Sequence, residues 1–204
     1  MIKNIIFDFG GVIFTDDDIG VLFDNEELNQ RFQTDQKTLE NAWTKYWREV
    51  GENRMTIIEF YNSLQYEIIG KVDEDFSREL LKIYKKKTHT LEPYNLLPFL
   101  KKKYNLYAIT NIFKEGYEFK KNKYRLNDLF KLIIAFCEVK ISKANPEIFQ
   151  ILLNLTNIIP EESLFIDDRE KNTIQAEKMG FKILLYDNIK NLKEKLNNFN
   201  IKYD

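Results

Sequence analysis

The strongest constraint on the fold is a series of short apolar runs, each followed by polar residues and then by a helical pattern. β-Branched and aromatic residues dominate the runs, as they do in buried strands. The runs are Ile5–Phe7, Leu106–Ile109, Leu132–Phe136, Leu164–Ile166 and Lys182–Tyr186. Strands that alternate with helices at this spacing predict βαβ units, and therefore an α/β fold built on a parallel sheet.

A long helical segment interrupts this alternation directly after the first run. Helical periodicity extends from about Asp16 to about Thr88, and the segment contains no strand pattern. The helices within it are short and closely connected, which is typical of a small bundle. We therefore predict a core domain at residues 1–15 and 90–204, with an inserted four-helix cap domain at residues 16–89.

Composition and charge exclude several classes of protein. Hydrophobic residues make up 44% of the 204 residues, which is enough for a packed core. The net charge of −1 provides no basic surface of the kind that binds nucleic acid or anionic membranes. The single cysteine, Cys137, cannot form an internal disulfide and fits a reducing compartment. Since neither a signal peptide nor a membrane-spanning apolar run is evident, we expect a cytoplasmic monomer or homodimer.

Polar residues stand at the ends of three of the predicted strands. Asp8 follows the first strand, Thr110 and Asn111 end the second, and Asp167 and Asp168 follow the fourth. The carboxyl ends of parallel strands meet at one edge of the sheet, and this edge is where open α/β sheets bind ligands. We therefore expect these five side chains to share one site.

The residue types in this predicted site suit phosphate chemistry. Three carboxylates packed together repel one another unless a cation lies between them. Oxygen ligands in this number favour Mg²⁺. Lys143, in the connection after the third strand, would join Thr110 and Asn111 in holding the oxygens of a phosphate. Asp8 would then act as a metal ligand and as the nucleophile that forms an aspartyl-phosphate, which water later hydrolyses.

Four segments carry a family resemblance over nearly the full chain. They are Phe7–Val12, Ile109–Asn111, Lys143–Phe149, and Phe165–Asp168 with Asn172. In this order and spacing they resemble the four motifs of the haloacid dehalogenase superfamily of phosphohydrolases. The helical segment after the first motif is similar to the cap of the C1-capped subclass. The resemblance implies a Rossmann-like core, Mg²⁺ as the cofactor and a small phosphorylated metabolite as the substrate.

The resemblance also assigns roles to individual residues. The implied catalytic residues are Asp8, Thr110 and Lys143. The implied metal ligands are Asp8, Asp168, the backbone carbonyl of Gly10, and Asp167 as a second ligand or an outer-shell partner. The residues expected to contact the substrate are Gly10, Thr110, Asn111, Lys143 and, from a loop between two cap helices, Arg54. The proline that usually follows the motif lysine is Ala144 here, and Lys140 is the less suitable alternative lysine because of its spacing to Pro146.

Gly10 departs from the usual pattern of these phosphatases, which carry a second Asp two residues after the nucleophile. General acid–base catalysis of this kind contributes roughly 10²–10⁴-fold in rate. The enzyme could use substrates with good leaving groups, such as sugar 1-phosphates, or recruit another acid from Asp16–Asp18 or from the cap. The chain is similar to a subgroup with glycine at this position, which includes bacterial glucose-1-phosphate phosphatases. We therefore predict a Mg²⁺-dependent phosphatase of small phosphomonoesters, with a catalytically impaired phosphate-binding protein as the alternative.

Overall fold

The sheet at the centre of the molecule has five parallel strands in the order β3-β2-β1-β4-β5. A computed structural model describes residues 1–15 and 31–203. The strands are β1 (Asn4–Phe7), β2 (Asn105–Thr110), β3 (Leu132–Ala135), β4 (Ser163–Asp167) and β5 (Lys182–Leu185). The predicted α/β fold with a Rossmann-like parallel sheet is therefore confirmed.

Helices and short 3-10 turns connect the strands. The α-helices are α1 (Gln36–Gly51), α2 (Ile57–Ile69), α3 (Glu74–Lys87), α4 (Leu97–Leu100), α5 (Lys114–Lys123), α6 (Phe136–Val139), α7 (Glu147–Thr156), α8 (Glu170–Lys178) and α9 (Ile189–Asn198). The run predicted as a strand to Phe136 ends one residue earlier, because Phe136 begins the single-turn helix α6. None of the described helices is long and apolar enough to span a membrane.

Both faces of the sheet are covered, which is why Ile5, Ile6 and Phe7 of its central strand are all apolar. Ile5 and Phe7 of β1 lie in the hydrophobic cluster that includes residues of α4 and α9. Ile6, between them, points to the opposite face and joins the cluster that includes residues of α7 and α8. Successive strand side chains point to opposite faces, so a strand buried on both faces has no room for polar residues until it reaches the sheet edge.

The three helices α1, α2 and α3 pack on one another around an aromatic cluster of their own, and we call these three helices the cap. Trp43 and Trp47 stack with ring centroids 5.1 Å apart, and Phe60 of α2 packs edge-on against Trp43. Thr56 and Glu59 form the capping box that their spacing predicts, and it fixes the start of α2. The additional cap helix predicted to begin near Asp16 lies outside the described residues.

Two chain segments that run side by side connect the cap to the sheet. Phe14 and Thr90 form an isolated antiparallel bridge, and the amide of Thr15 donates a hydrogen bond of 3.0 Å to the carbonyl of His89. The predicted domain boundaries at residues 15 and 90 fall in this pair of segments, and the division of the chain remains a prediction.

Candidate active site

Four segments of the chain meet at the carboxyl edge of the sheet. Phe7, the last residue of β1, pairs with Ala108 on β2 and with Ile166 on β4. This register places Asp8 level with the ends of both neighbouring strands, between Thr110 on one side and Asp167 on the other. The parallel sheet thus brings Asp8, Thr110 and Asp167 to the same edge, although they lie far apart in the sequence.

Lys143 lies at the centre of this group of residues. Its side chain is only 2% exposed, and its Nζ lies 2.5 Å from Oδ2 of Asp8 and 2.7 Å from Oδ2 of Asp167. The backbone amide of Lys143 also donates a hydrogen bond of 2.9 Å to Oδ1 of Asn111. The end of β2 therefore holds the loop that delivers the lysine. Lys140, the alternative lysine, is exposed at the end of α6.

Burial and charge act in opposite directions on the groups around Lys143. Burial raises the pKa of Asp8 from its ordinary 3.8 to about 7, and the carboxylates of Asp167 and Asp168 add to this, while Lys143 lowers it. Burial alone would lower the pKa of Lys143, but Asp8 and Asp167 together outweigh it and hold the pKa above its usual value. The two carboxylates therefore favour the charged form of Lys143, whereas burial favours the neutral form of Asp8.

Asp167 is held in place by donors from its own loop. Its Oδ1 accepts hydrogen bonds of 2.9 Å from the amide of Arg169 and from Nδ2 of Asn172. Its Oδ2 accepts the bond from Lys143. Asn172, which the fourth motif includes, thus makes the contacts expected of a residue that orients the acidic loop. These bonds hold the carboxylate of Asp167 in one orientation beside Lys143.

Asp168 lies against the glycine turn that follows β1. Gly11 has a φ of +74°, and a Cβ built on it would lie 2.3 Å from Oδ2 of Asp168. Any side chain at position 11 would therefore be strained and would also collide with the carboxylate. Oxygens of Asp8, Asp167 and Asp168 all lie within 4.8 Å of one another. This donor set of carboxylate oxygens fits a hard divalent cation such as Mg²⁺.

Of the remaining residues predicted to contact the substrate, Thr110 and Gly10 lie at the carboxyl edge of the sheet and Arg54 lies in a cap loop. Thr110 is buried at the end of β2, and Gly10 is partly buried in the turn after Asp8. Arg54 lies in the loop between α1 and α2, where its guanidinium makes bonds of 2.6 and 2.7 Å to Glu49 and also contacts Glu52. These carboxylates raise the pKa of Arg54 further above its usual value. Its predicted contact with the substrate requires these ion pairs to rearrange.

The sequence did not indicate how the cap touches the carboxyl edge of the sheet. Nδ2 of Asn53 donates a hydrogen bond to the carbonyl of Cys137, just past the end of β3. A Cβ on Gly51 would lie 1.8 Å from the ring of Phe136, so only glycine permits this approach of α1. The positive φ of 57° at Asn53 fits a residue type that tolerates this conformation, but its partner is set by the tertiary structure alone.

Comparison with known sequences agrees with the four motifs. The sequence profile of the haloacid dehalogenase-like hydrolases matches residues 2–180. A curated D-ribitol-5-phosphate phosphatase from Bacteroides thetaiotaomicron is 28% identical over 195 residues, which is 89% of this chain and 90% of the relative.

Solved structures show the same fold. A haloacid dehalogenase family enzyme from B. thetaiotaomicron, solved with magnesium and inorganic phosphate, has a TM-score of 0.69 at 22% identity, over 92% of this chain and 95% of that one. The L-2-haloacid dehalogenase of Xanthobacter autotrophicus, with chloropropionic acid covalently bound, has a TM-score of 0.65 at 17% identity, over 99% and 85%. At these identities the similarity extends to the fold, and the chemistry must be argued from the site.

Proposed function

Because the chain belongs to the haloacid dehalogenase-like hydrolases, we propose that it is a Mg²⁺-dependent phosphatase of small sugar or polyol phosphates. The observation that carries the proposal is the buried cluster in which Lys143 bridges Asp8 and Asp167 beside Asp168. It combines a nucleophilic carboxylate, a fixed cation and a set of metal ligands. The phosphatase named among the relatives acts on a pentitol phosphate, which supports this substrate class. The single cysteine, Cys137, is buried and has no partner for a disulfide within the chain, which is in keeping with the cytoplasmic location that we also propose.

The proposed reaction has two steps, both at phosphorus. A carboxylate oxygen of Asp8 attacks, the bond from phosphorus to the ester oxygen breaks, and the sugar or polyol leaves as its alcohol after gaining a proton. Water then attacks the phosphorus of the aspartyl-phosphate, which releases inorganic phosphate and restores Asp8. The amide of Phe9 donates a hydrogen bond of 2.6 Å to Oδ1 of Asp8, which orients the carboxylate for the first step.

Lys143 and the end of β2 hold the transferring group. The ammonium of Lys143 stabilises the negative charge on the phosphoryl oxygens, and the hydroxyl of Thr110 and the amide of Asn111 donate hydrogen bonds to them. Asp8, Asp168 and the carbonyl of Gly10 would bind the Mg²⁺, with Asp167 positioning Lys143 from outside the coordination shell. When bound, the metal neutralises the carboxylates and polarises the phosphoryl group.

The proposed metal site predicts that Mg²⁺ stabilises the folded protein and that this stabilisation depends on Asp168. Mg²⁺ at 100 times its dissociation constant should raise the free energy of unfolding by about 2.7 kcal/mol. Asp168→Asn keeps the shape of the side chain but removes a charged ligand, so most of this stabilisation should be lost. Thermal unfolding with Mg²⁺ and with EDTA measures the effect without any substrate. The exposed Asp128→Asn variant serves as the control, and equal stabilisation of both variants would exclude Asp168 as a ligand.

Gly10 predicts a strong dependence on the leaving group. Glycine offers no side chain to protonate the departing oxygen, so phosphate release should be fastest from acetyl phosphate, slower from glucose 1-phosphate and slowest from D-ribitol 5-phosphate. Initial rates of phosphate release with Mg²⁺ and with EDTA test the proposed function. If no substrate is hydrolysed while phosphate still binds, the alternative of a phosphate-binding protein without turnover takes its place.

Gly10→Asp should change this preference. Gly10 is not among the described glycines with positive φ, so the value of φ does not itself disfavour a side chain there. An aspartate there should raise kcat/KM for D-ribitol 5-phosphate relative to acetyl phosphate by at least about tenfold, a part of the usual general acid–base contribution. Gly10→Asn has the same shape but transfers no proton at neutral pH. Equal rates for the two variants would mean that another group already serves as the acid.

A further inference from the structure

One face of helix α5 packs against the cap. Phe113, at the start of this helix, belongs to the core by sequence but is buried in the aromatic cluster of α1–α3. Its ring centroid lies 4.9 Å from that of Tyr84 on α3 and 6.1 Å from that of Trp47 on α1. The helix begins just after Thr110 and Asn111, so this face of α5 is attached directly to the loop that is proposed to bind phosphate.

Gly116, one turn further along α5, is a second point of close approach between the core and the cap. A Cβ built on it would lie 2.8 Å from Oη of Tyr84 and 2.9 Å from the ring of Phe113. Both distances are shorter than real Cβ contacts allow. Glycine in a helix interior is less stable than alanine, so its presence here requires a compensating contact. That contact is the packing of Tyr84 against the helix at Gly116.

Lys120 continues the same face and connects it to the segment that follows Asp8. Its side chain is fully buried. Its Nζ lies 4.8 Å from the ring centroid of Phe14 and 5.9 Å from that of Tyr84, within the range of cation–π contacts. Phe14 precedes the pair of segments that link the cap to the core. The ammonium of Lys120 therefore contacts both Tyr84 of the cap and Phe14 of the connecting segment.

We propose that Tyr84 is the pivot of the cap and that Gly116, with Phe113 and Lys120, forms its seat. These are positioning residues: they act through the cap and have no assigned contact with the reacting atoms. The seat determines where the loop between α1 and α2 stands over the carboxyl edge of the sheet, which that loop reaches through Asn53. If Tyr84 is displaced from its seat, kcat/KM should fall more for substrates with a large leaving group than for substrates with a small one. This inference about substrate selection rests on the proposed function.

Gly116→Ala inserts a wedge into the seat without altering a proposed catalytic residue. We expect it to lower kcat/KM for glucose 1-phosphate by at least about tenfold, mainly through a higher KM, and for acetyl phosphate by less than about threefold. Tyr84→Phe removes the Oη that the new methyl group meets. The close contact with the ring of Phe113 remains, so the double variant should recover part of the loss, with kcat/KM at least about threefold above that of Gly116→Ala. Asn122→Ala, on the exposed side of α5, is the matched control and should have no effect.

Intrinsic fluorescence gives a readout that does not depend on turnover, because both tryptophans of the chain lie in α1. Mg²⁺ with orthovanadate, an analogue of the transferring phosphoryl group, should change the emission of wild type. Gly116→Ala should lose at least half of this change, and Tyr84→Phe should restore part of it in the double variant. If wild type releases no phosphate but this pattern holds, the proposed function fails and the pivot stands.

The pivot is overturned by any of four results. Three of them are kinetic: Gly116→Ala lowers kcat/KM equally for both substrates, it lowers kcat/KM for neither, or the double variant shows no recovery. The fourth is that ligand binding causes no emission change in wild type, or causes the same change in Gly116→Ala. Circular dichroism of each variant establishes that it is folded. Because alanine favours the helix more than glycine does, a loss in Gly116→Ala cannot arise from weakened helix formation.

Discussion

Asp8→Asn is expected to lower the rate of phosphate release by about four orders of magnitude or more, as loss of a nucleophile does in other covalent mechanisms. The amide of asparagine has the shape of the carboxylate but forms no acyl phosphate. Burial and neighbouring carboxylates already disfavour a charge at position 8, so a neutral asparagine should be accepted by the fold. The measurement is the initial rate of phosphate release from acetyl phosphate with Mg²⁺.

The fully exposed Asp75, on the first turn of α3, provides the matched control. Asp75→Asn should retain wild-type activity. Mass spectrometry of the acid-quenched enzyme should find one phosphoryl group on the peptide that contains Asp8 in wild type and none in the variant. Residual activity above about a tenth of wild type in Asp8→Asn would exclude the covalent mechanism.

Lys143→Met should have the largest effect on stability. It leaves Asp8 and Asp167 buried beside Asp168 without their cation. Removing one partner of a buried ion pair typically costs about 3–5 kcal/mol of unfolding free energy, and we expect a loss of this size in EDTA. Phosphate release should fall below detection at the same time, because no cation remains to stabilise the transferring group. Lys140→Met, three positions earlier and exposed, should change neither quantity.

The pH dependence of this loss has a definite sign. The pKa of Asp8 is about 7 with the lysine present, and removing the positive charge raises it further. Between the ordinary pKa and this value the folded state binds a proton that the unfolded state releases, so the unfolding free energy rises as the pH falls. The difference between wild type and Lys143→Met should therefore shrink from pH 8 to pH 6. Denaturant titrations in EDTA measure it, and a constant or growing difference would contradict the proposed charge balance.

The sequence was sufficient to predict the parallel sheet and the residues at its carboxyl edge. Each strand is marked by a local apolar run, and the runs of β1, β2 and β4 end at polar residues. Parallel pairing then places Asp8, Thr110 and Asp167 at the same edge, whatever the details of packing. The family resemblance, now confirmed by the matching profile, added the assignment of Lys143 over Lys140. The structure places Lys143 in the cluster, while its catalytic role remains a proposal.

Other features depend on the conformation of the loops and on the side chains that the fold brings within reach. The sequence does not show that Asp167 accepts hydrogen bonds from Asn172 and Lys143, which fix its orientation in the site. Arg54 appears in the sequence as an available cation, whereas the folding of its loop places it beside Glu49 and Glu52. The pairing of a side chain with one of several charged neighbours is decided by geometry, which composition and spacing do not contain.

By itself, the sequence determined the sheet, the capping of α2 and the chemical types that meet at the site, since these depend on local propensity and on the periodicity of apolar residues. Only the tertiary structure decided that Phe113 enters the cap cluster, that Gly116 receives Tyr84 and that Gly51 receives Phe136. A glycine in a helix reads in sequence only as a weak position. The role of such a glycine is seen only in the folded protein, where an aromatic side chain from a distant segment occupies the space that a Cβ would fill.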